Sequence, residues 1–316
     1  MTKAYFEVLR PGINTTYQDL GRDSLYHIGI PFSGAMDKRN FFISNKLVAN
    51  KQSYPVIEFA LQGPLLRLNN SKANFAITGD VNFNIIRNNS IIEKGNCYQS
   101  YILENGDHLD IISTNRSVYG YLSIQGGYKI DSFWGSYSVN TKAKIGPNNG
   151  EKFSNNQKIF LNDIKQSFQR KKINYLNSKI EFIRVIKGTN YDYFSEKAKK
   201  IFVSEEFKVS KLSDRMGMRL EGSKLENIVD TNIRSEGLIK GVIQVPADGN
   251  PIVMLSDHGT IGGYPKIGVV ISADYDKLVQ LVPNSKIKFK LIDLHEAEKL
   301  YKLYSLETEN LLNQVK

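Results

Sequence analysis

The sequence predicts a mainly β protein of about two domains, and three observations carry that expectation. Short runs of β-branched and aromatic residues recur along the 316 residues, with turn residues between them. Stretches of helical period are few. A polar segment over residues 162–179, rich in Lys, Arg, Gln and Asn, separates two strand-rich halves. Short strands at this spacing belong to a barrel or a sandwich.

In chain order, a strand over residues 6–9 is ended by Pro11-Gly12. Residues 55–60 and 65–68 flank the turn Gln62-Gly63-Pro64. Strands over 75–78, 83–86 and 91–94 follow, with Asn-Asn-Ser and Gly-Asn turns between them. Residues 109–113, 118–124 and 159–161 continue the series. In the second half the apolar runs are 242–245, 252–255 and 267–271. Asp37 is a good N-cap, and Phe41, Phe42, Leu47 and Val48 recur at helical spacing after it. Further helices are expected over 193–203, 274–281 and 294–312, the last as an amphipathic packing helix. The expected division is 1–165 for an N-terminal domain, 166–292 for a C-terminal domain and 293–316 for a helical tail.

The bulk numbers exclude several classes. Net charge is 42 − 32 = +10, but the basic residues are scattered, and neither an aromatic–basic RNA signature nor a helix-turn-helix pattern is present. No nucleic acid partner is expected; a positive field that attracts an anionic ligand remains open. No apolar run approaches the roughly 18 residues of a membrane span. The N-terminus begins like a strand rather than a signal peptide. The single cysteine, Cys97, fits a reducing cytoplasm and reads as a small buried hydrophobe. His27, His108, His258 and His295 lack metal-type spacing, and Cys97 joins none of them, so no metal is expected.

Candidate chemistry gathers in three stretches of the second half: SDRMGMRLEG (213–222), SEG (235–237) and QVPADGNPIVMLSDHGTIGGYPKIG (244–268). Function collects on loops held by rigid strands, and these polar and glycine residues lie between strand-like runs. Gly262 and Gly263 permit positive φ and a concave nest of amides for an oxyanion. Lys266 supplies charge, Thr260 a hydroxyl, and Asp257 a base or a metal carboxylate. Arg215 offers a planar fork for a carboxylate or phosphate. Glu236 and Asp257 form a candidate acid–base pair. The spacing is neither a P-loop nor a dinucleotide fingerprint. In the first half TTYQDLGR (15–22) and GIPFSGAMD (29–37) stand out; the second feeds a helix N-terminus at Asp37, where amides favour anions.

These motifs, together with Val56-Ile57-Glu58 and Gly63-Pro64, resemble the biotin-dependent carboxyltransferase family. That family includes the C component of the ATP-dependent 5-oxoprolinase (PxpC, formerly allophanate hydrolase subunit 2), KipA, and half of the carboxyltransferase domain of urea carboxylase. The resemblance covers nearly the whole chain. It implies two cyclophilin-like β-barrel domains with a few short helices and a C-terminal helix. It implies a hydrolase that opens a small lactam or amide with ATP in a complex. Its partners there would be a KipI-like protein (the B component) and a TIM-barrel-like protein (the A component). A second implied reading takes carboxyl from biotin to urea or a similar amide. A third is a non-catalytic regulator that binds a KipI-like partner. Carried onto matching positions, Asp257, Glu236, Lys266 and Arg215 are the catalytic candidates, with Lys266 and Arg215 for an anion and Asp257 or Glu236 for proton transfer. Gln244, Thr260, Gly262, Gly263, Tyr264 and Ser213 are expected at the substrate, and Asp19, Arg22, Ser33 and Asp37 after them. Members often carry Gly-Ser-Arg-Ser where this chain has Gly135-Ser136-Tyr137-Ser138, so no Arg role is carried over there.

Overall fold

A computed structural model describes residues 3–163, 168–175 and 181–316. The protein is mainly β, as expected, with four α-helices among the described residues. It divides into two compact units. Unit 1 comprises Met1–Arg22, Ser33–Leu176 and Thr308–Lys316; unit 2 comprises Asp23–Phe32 and Asn177–Glu307. The expected boundary between residues 165 and 166 lies outside the described residues. The segment Asp23–Phe32 belongs to unit 2, although the sequence expectation places it in the first domain.

Unit 1 is built from a six-stranded and a five-stranded antiparallel sheet. Strands Tyr5–Arg10, Leu65–Asn69, Val81–Arg87 and His108–Thr114 lie in the first; Val56–Ala60, Ala73–Thr78 and Tyr119–Ile124 lie in the second. Alternate residues of the first sheet (Phe6, Val8, Phe83, Ile85, Leu109, Ile111) meet Ile57, Phe59, Phe75, Ile77, Leu122 and Ile124 in one core. This period of two is what half-buried strands require. The three named strands of the second sheet are buried along their whole length. Over the last two of these strands the cover is helix α1 (Lys38–Leu47), which puts Ile43 and Leu47 against Ala76 while Ser123 donates to Ser44 at 2.8 Å. Cys97 packs against the main core, and burial pushes its thiol up to about 11.

Unit 2 contains an eight-stranded sheet whose two ends nearly share one strand. Lys286–Ile287 pairs with Phe207–Val209 at one edge, and Phe289–Leu291 pairs with Ile183–Lys187 at the other. Only Lys288 separates them. Laid flat, eight strands would hold those edges about 34 Å apart; two Cα steps span at most about 7.6 Å. The sheet must therefore curl until its edges meet, which makes it a barrel. Helix α2 (Glu196–Ser204), capped by Ser195, stacks Phe202 on Phe289 at 4.8 Å. Helix α3 (Ser272–Val279) buries Asp274, which accepts from Arg184 N at 2.8 Å and Arg184 Nε at 2.9 Å. Helix α4 (Leu294–Asn313) lays Ala297, Leu300 and Tyr304 by Ile271 and Ala273. Its last turn belongs to unit 1, where Leu312 and Val315 join Ile43 and Leu47. No helix among the described residues is long and apolar enough to cross a membrane.

Candidate functional site

The polar residues of unit 2 fall into two clusters, and strand register separates them. Strand Ile252–Met254 pairs with Val242–Gln244, with Gln244 opposite Ile252, and Gln244 is also opposite Lys266. Lys266 and Gln244 therefore sit at one end of these strands. Asp257 follows Met254 and lies beyond the other end.

At the Asp257 end, the loop before strand Gly217–Glu221 and the loop after Ile252–Met254 are zipped together, Asp257 N donating to Arg215 O at 2.9 Å. Arg215 Nε and Nη2 donate to the two Asp257 oxygens at 2.8 and 3.1 Å. This is a bidentate pair, with side chains only 7% and 4% exposed. Ser213 lies at the base of the same loop, where its Oγ accepts from Arg219 N at 3.0 Å. His258 is buried next to the pair. Its Nδ1 lies 2.6 Å from Gly259 O, and a carbonyl only accepts, so Nδ1 carries the proton. Nε2 then accepts from the Tyr26 hydroxyl at 2.9 Å. Burial lowers the His258 pKa, against a smaller opposing effect of the Gly259 carbonyl.

At the opposite end, Lys266 Nζ donates to Glu236 Oε2 at 2.7 Å. Lys266 begins strand Lys266–Val270, and its N–H donates to Asn190 Oδ1 at 3.1 Å. The Lys266 hydrogen bond holds the Glu236 carboxyl below its usual range, with a smaller contribution from the Asn190 side chain. Glu236-Gly237 and Ile261-Gly262 form a separate two-stranded ribbon, Glu236 opposite Gly262. Thr260 O accepts from Leu238 N at 2.9 Å, and Gly263 O accepts from Ile233 N at 2.9 Å. Buried Gln244 donates through Nε2 to Tyr264 O at 3.2 Å, while the Tyr264 ring is exposed.

Several expectations change on this geometry. Glu236 and Asp257 are not paired with each other as acid and base; each carboxylate faces a cation of its own. Gly262 and Gly263 do not adopt positive φ, so they form no left-handed nest. They are small for another reason. A Cβ on Gly262 would stand 2.7 Å from Gln244 Nε2 and from Leu238 Cδ1, and one on Gly263 would stand 3.0 Å from Ile233 O. Asn190, which ties Lys266 to Glu236, had only a turn-like Gly188-Thr189-Asn190 signal in the sequence. Tyr26 had no local signal at all.

The four first-half candidates lie in unit 1, each engaged within it. Asp19 accepts from Ser136 Oγ at 2.6 Å, Tyr137 N at 2.7 Å, Gly21 N at 2.9 Å and Ser138 Oγ at 2.5 Å. The segment at 135–138 thus acts through its two serines and a backbone N–H, whatever side chain stands at Tyr137. Arg22 donates to Ser138 O, and Ser33 Oγ accepts from Asn140 Nδ2 at 3.3 Å. The helix start expected to attract anions is already furnished. Asp37 accepts from Asn40 N at 2.9 Å, and Glu58 accepts from Met36 N at 2.8 Å. Among the described residues no group of three or more His, Cys, Asp or Glu is placed to hold a metal ion.

Comparison with known proteins gives this geometry a family. The chain is 32% identical over 295 residues to the C component of the 5-oxoprolinase of Haemophilus influenzae, covering 93% of each. It is 30% identical over 299 residues to the same component from Escherichia coli, again covering 93% of each. Urea amidolyase of Lachancea kluyveri is 30% identical over 332 residues, covering 97% of this chain but 18% of that protein. The crystal structure of the K. lactis urea amidolyase superposes with a TM-score of 0.89 at 27% identity, over 98% of this chain and 20% of that one. The family model described as carboxyltransferase domain, subdomain A and B, matches residues 28–291, and the chain belongs to that family.

Proposed function

We propose that the chain is the C component of an ATP-dependent 5-oxoprolinase complex in the cytoplasm, opening 5-oxoproline to glutamate. One observation carries the reading: the match to the two 5-oxoprolinase proteins covers 93% of both chains, whereas the amidolyase match is a fragment of a longer protein. In this reading a KipI-like protein and a TIM-barrel-like protein complete the enzyme. Phosphorylation of the lactam oxygen, with ADP leaving, makes the ring carbon electrophilic to water. Collapse of the water adduct expels the ring nitrogen as the amine and leaves an acyl phosphate, which a second water hydrolyses to the side-chain carboxylate of glutamate and phosphate. This chain would contribute fixed charge where the substrate is held. The Lys266–Glu236 end of the barrel suits that task, because a fixed ammonium stands beside the half-open ribbon. The buried Arg215–Asp257 pair would hold its loops in place.

The test is 5-oxoproline-dependent ADP and glutamate release by this chain co-expressed with its KipI-like and TIM-barrel-like partners. Activity that needs all three chains, and that falls at least a hundredfold in Lys266→Ala, supports the reading. An assembled complex with no activity sinks it. The K. lactis likeness favours a second reading, transfer of carboxyl from biotin to urea, and the same complex assayed with carboxybiotin and urea would report it.

A further inference from the structure

Lys266 keeps an ammonium where water hardly reaches, its side chain 4% exposed. A buried charge of this kind needs an opposite partner. The carboxylate that faces it is Glu236, and Glu236 is the outer member of the pair, 44% exposed. The two partners are anchored very differently. Lys266 belongs to the barrel, paired with Gln244 and held by Asn190. Glu236 belongs to a ribbon of two residues on each strand, outside the eight-stranded sheet. Both Glu236 and Gly237 are exposed, and the space where a Gly237 side chain would stand is open. Backbone bonds from Leu238 N to Thr260 O and from Ile233 N to Gly263 O bracket the ribbon, yet so short and exposed an element opens locally more cheaply than the barrel does. The cation is fixed in the barrel, and Glu236, held by Lys266 and the Asn190 side chain, is the exposed member of the pair that a ligand can reach.

We propose that Glu236 is an internal stand-in, holding Lys266 until the carboxylate of a small ligand replaces it, so that the site selects carboxylate-bearing ligands. Exchanging one carboxylate for another leaves the buried ammonium paired throughout, whereas a neutral amide offers no replacement. The competition also weakens apparent affinity, by the fraction of time that Glu236 is out of the way. Only the identity of the ligand rests on the oxoprolinase reading; there, the displacing group is the carboxylate of 5-oxoproline.

Calorimetric titration of the full chain at pH 7.5 tests this, with 5-oxoproline, glutarate, and 2-pyrrolidinone, the same lactam without its carboxylate. Glu236→Gln should bind both carboxylates roughly tenfold more tightly than wild type. Lys266→Met, folded by hydrogen exchange, should lose both, and 2-pyrrolidinone should bind more weakly and ignore Glu236→Gln. Unchanged or weaker carboxylate binding by Glu236→Gln overturns the proposal, as does no carboxylate binding by either protein, or equal binding of 2-pyrrolidinone. If glutarate binding tightens while the three-chain complex leaves 5-oxoproline intact, the oxoprolinase reading fails and the stand-in survives.

Discussion

Asp257→Asn keeps the shape of a buried side chain and removes its charge. In the wild type, Arg215 meets that carboxylate through two hydrogen bonds, 2.8 and 3.1 Å, with side chains 7% and 4% exposed. So little exposure leaves solvent little power to screen the pair. Removing one partner leaves a guanidinium in a dry site, and breaking such a pair typically costs about 3–5 kcal/mol. At about 2–4 °C per kcal/mol for a unit of this size, the transition should fall by roughly 6–20 °C. The probe must be chosen with care. The protein has one tryptophan, Trp134, and it lies in unit 1, so its fluorescence reports the wrong unit. Hydrogen exchange of the amides in Gly217–Glu221 and Ile252–Met254 reads unit 2 directly, and a loss of ~4 kcal/mol should speed globally protected amides about a thousandfold. Replacing both partners with apolar residues, Arg215→Met with Asp257→Leu, should recover much of the loss, because no charge is then stranded. A loss below about 1 kcal/mol in Asp257→Asn would refute the reasoning, since it would mean that the pair is effectively solvated.

Two further predictions follow from the same unit. A Cβ on Gly188 would stand 2.2 Å from the backbone oxygen of Lys266, so Gly188→Ala should cost about 2 kcal/mol or more and lower the melting temperature, while Gly237→Ala, facing open space, should stay within about 0.5 kcal/mol. His258 has its folded pKa depressed by burial, so the unfolded chain takes up a proton first as pH falls. Its contribution is complete above about 6.5, the unfolded value, and is lost as pH drops from there towards the folded pKa. Urea midpoints at pH 7.5 and 5.5 should therefore differ more in wild type than in His258→Gln, and equal differences would contradict the assignment.

The sequence alone decided the local features. Turn residues such as Gln62-Gly63-Pro64 fixed where strands stop, alternation fixed which face of strands such as Val81–Arg87 enters the core, and Asp37 fixed the start of α1, because these signals act over a few residues. It also singled out the polar residues of 213–222 and 235–268, since charged and glycine residues beside apolar strands are conspicuous in any register. It missed strands Ile183–Lys187, Phe207–Val209 and Lys286–Ile287; the last two are too short for a pattern, and all three exist because of partners far along the chain. The tertiary structure alone decided who meets whom. Arg215 finds Asp257 42 residues away, Lys266 finds Glu236 30 away, and Tyr26 finds His258 232 away. The barrel closes only because residues 286–291 serve two edges at once. Such pairings depend on strand order and closure, and those are set by how a whole unit buries its apolar faces rather than by any local run of residues.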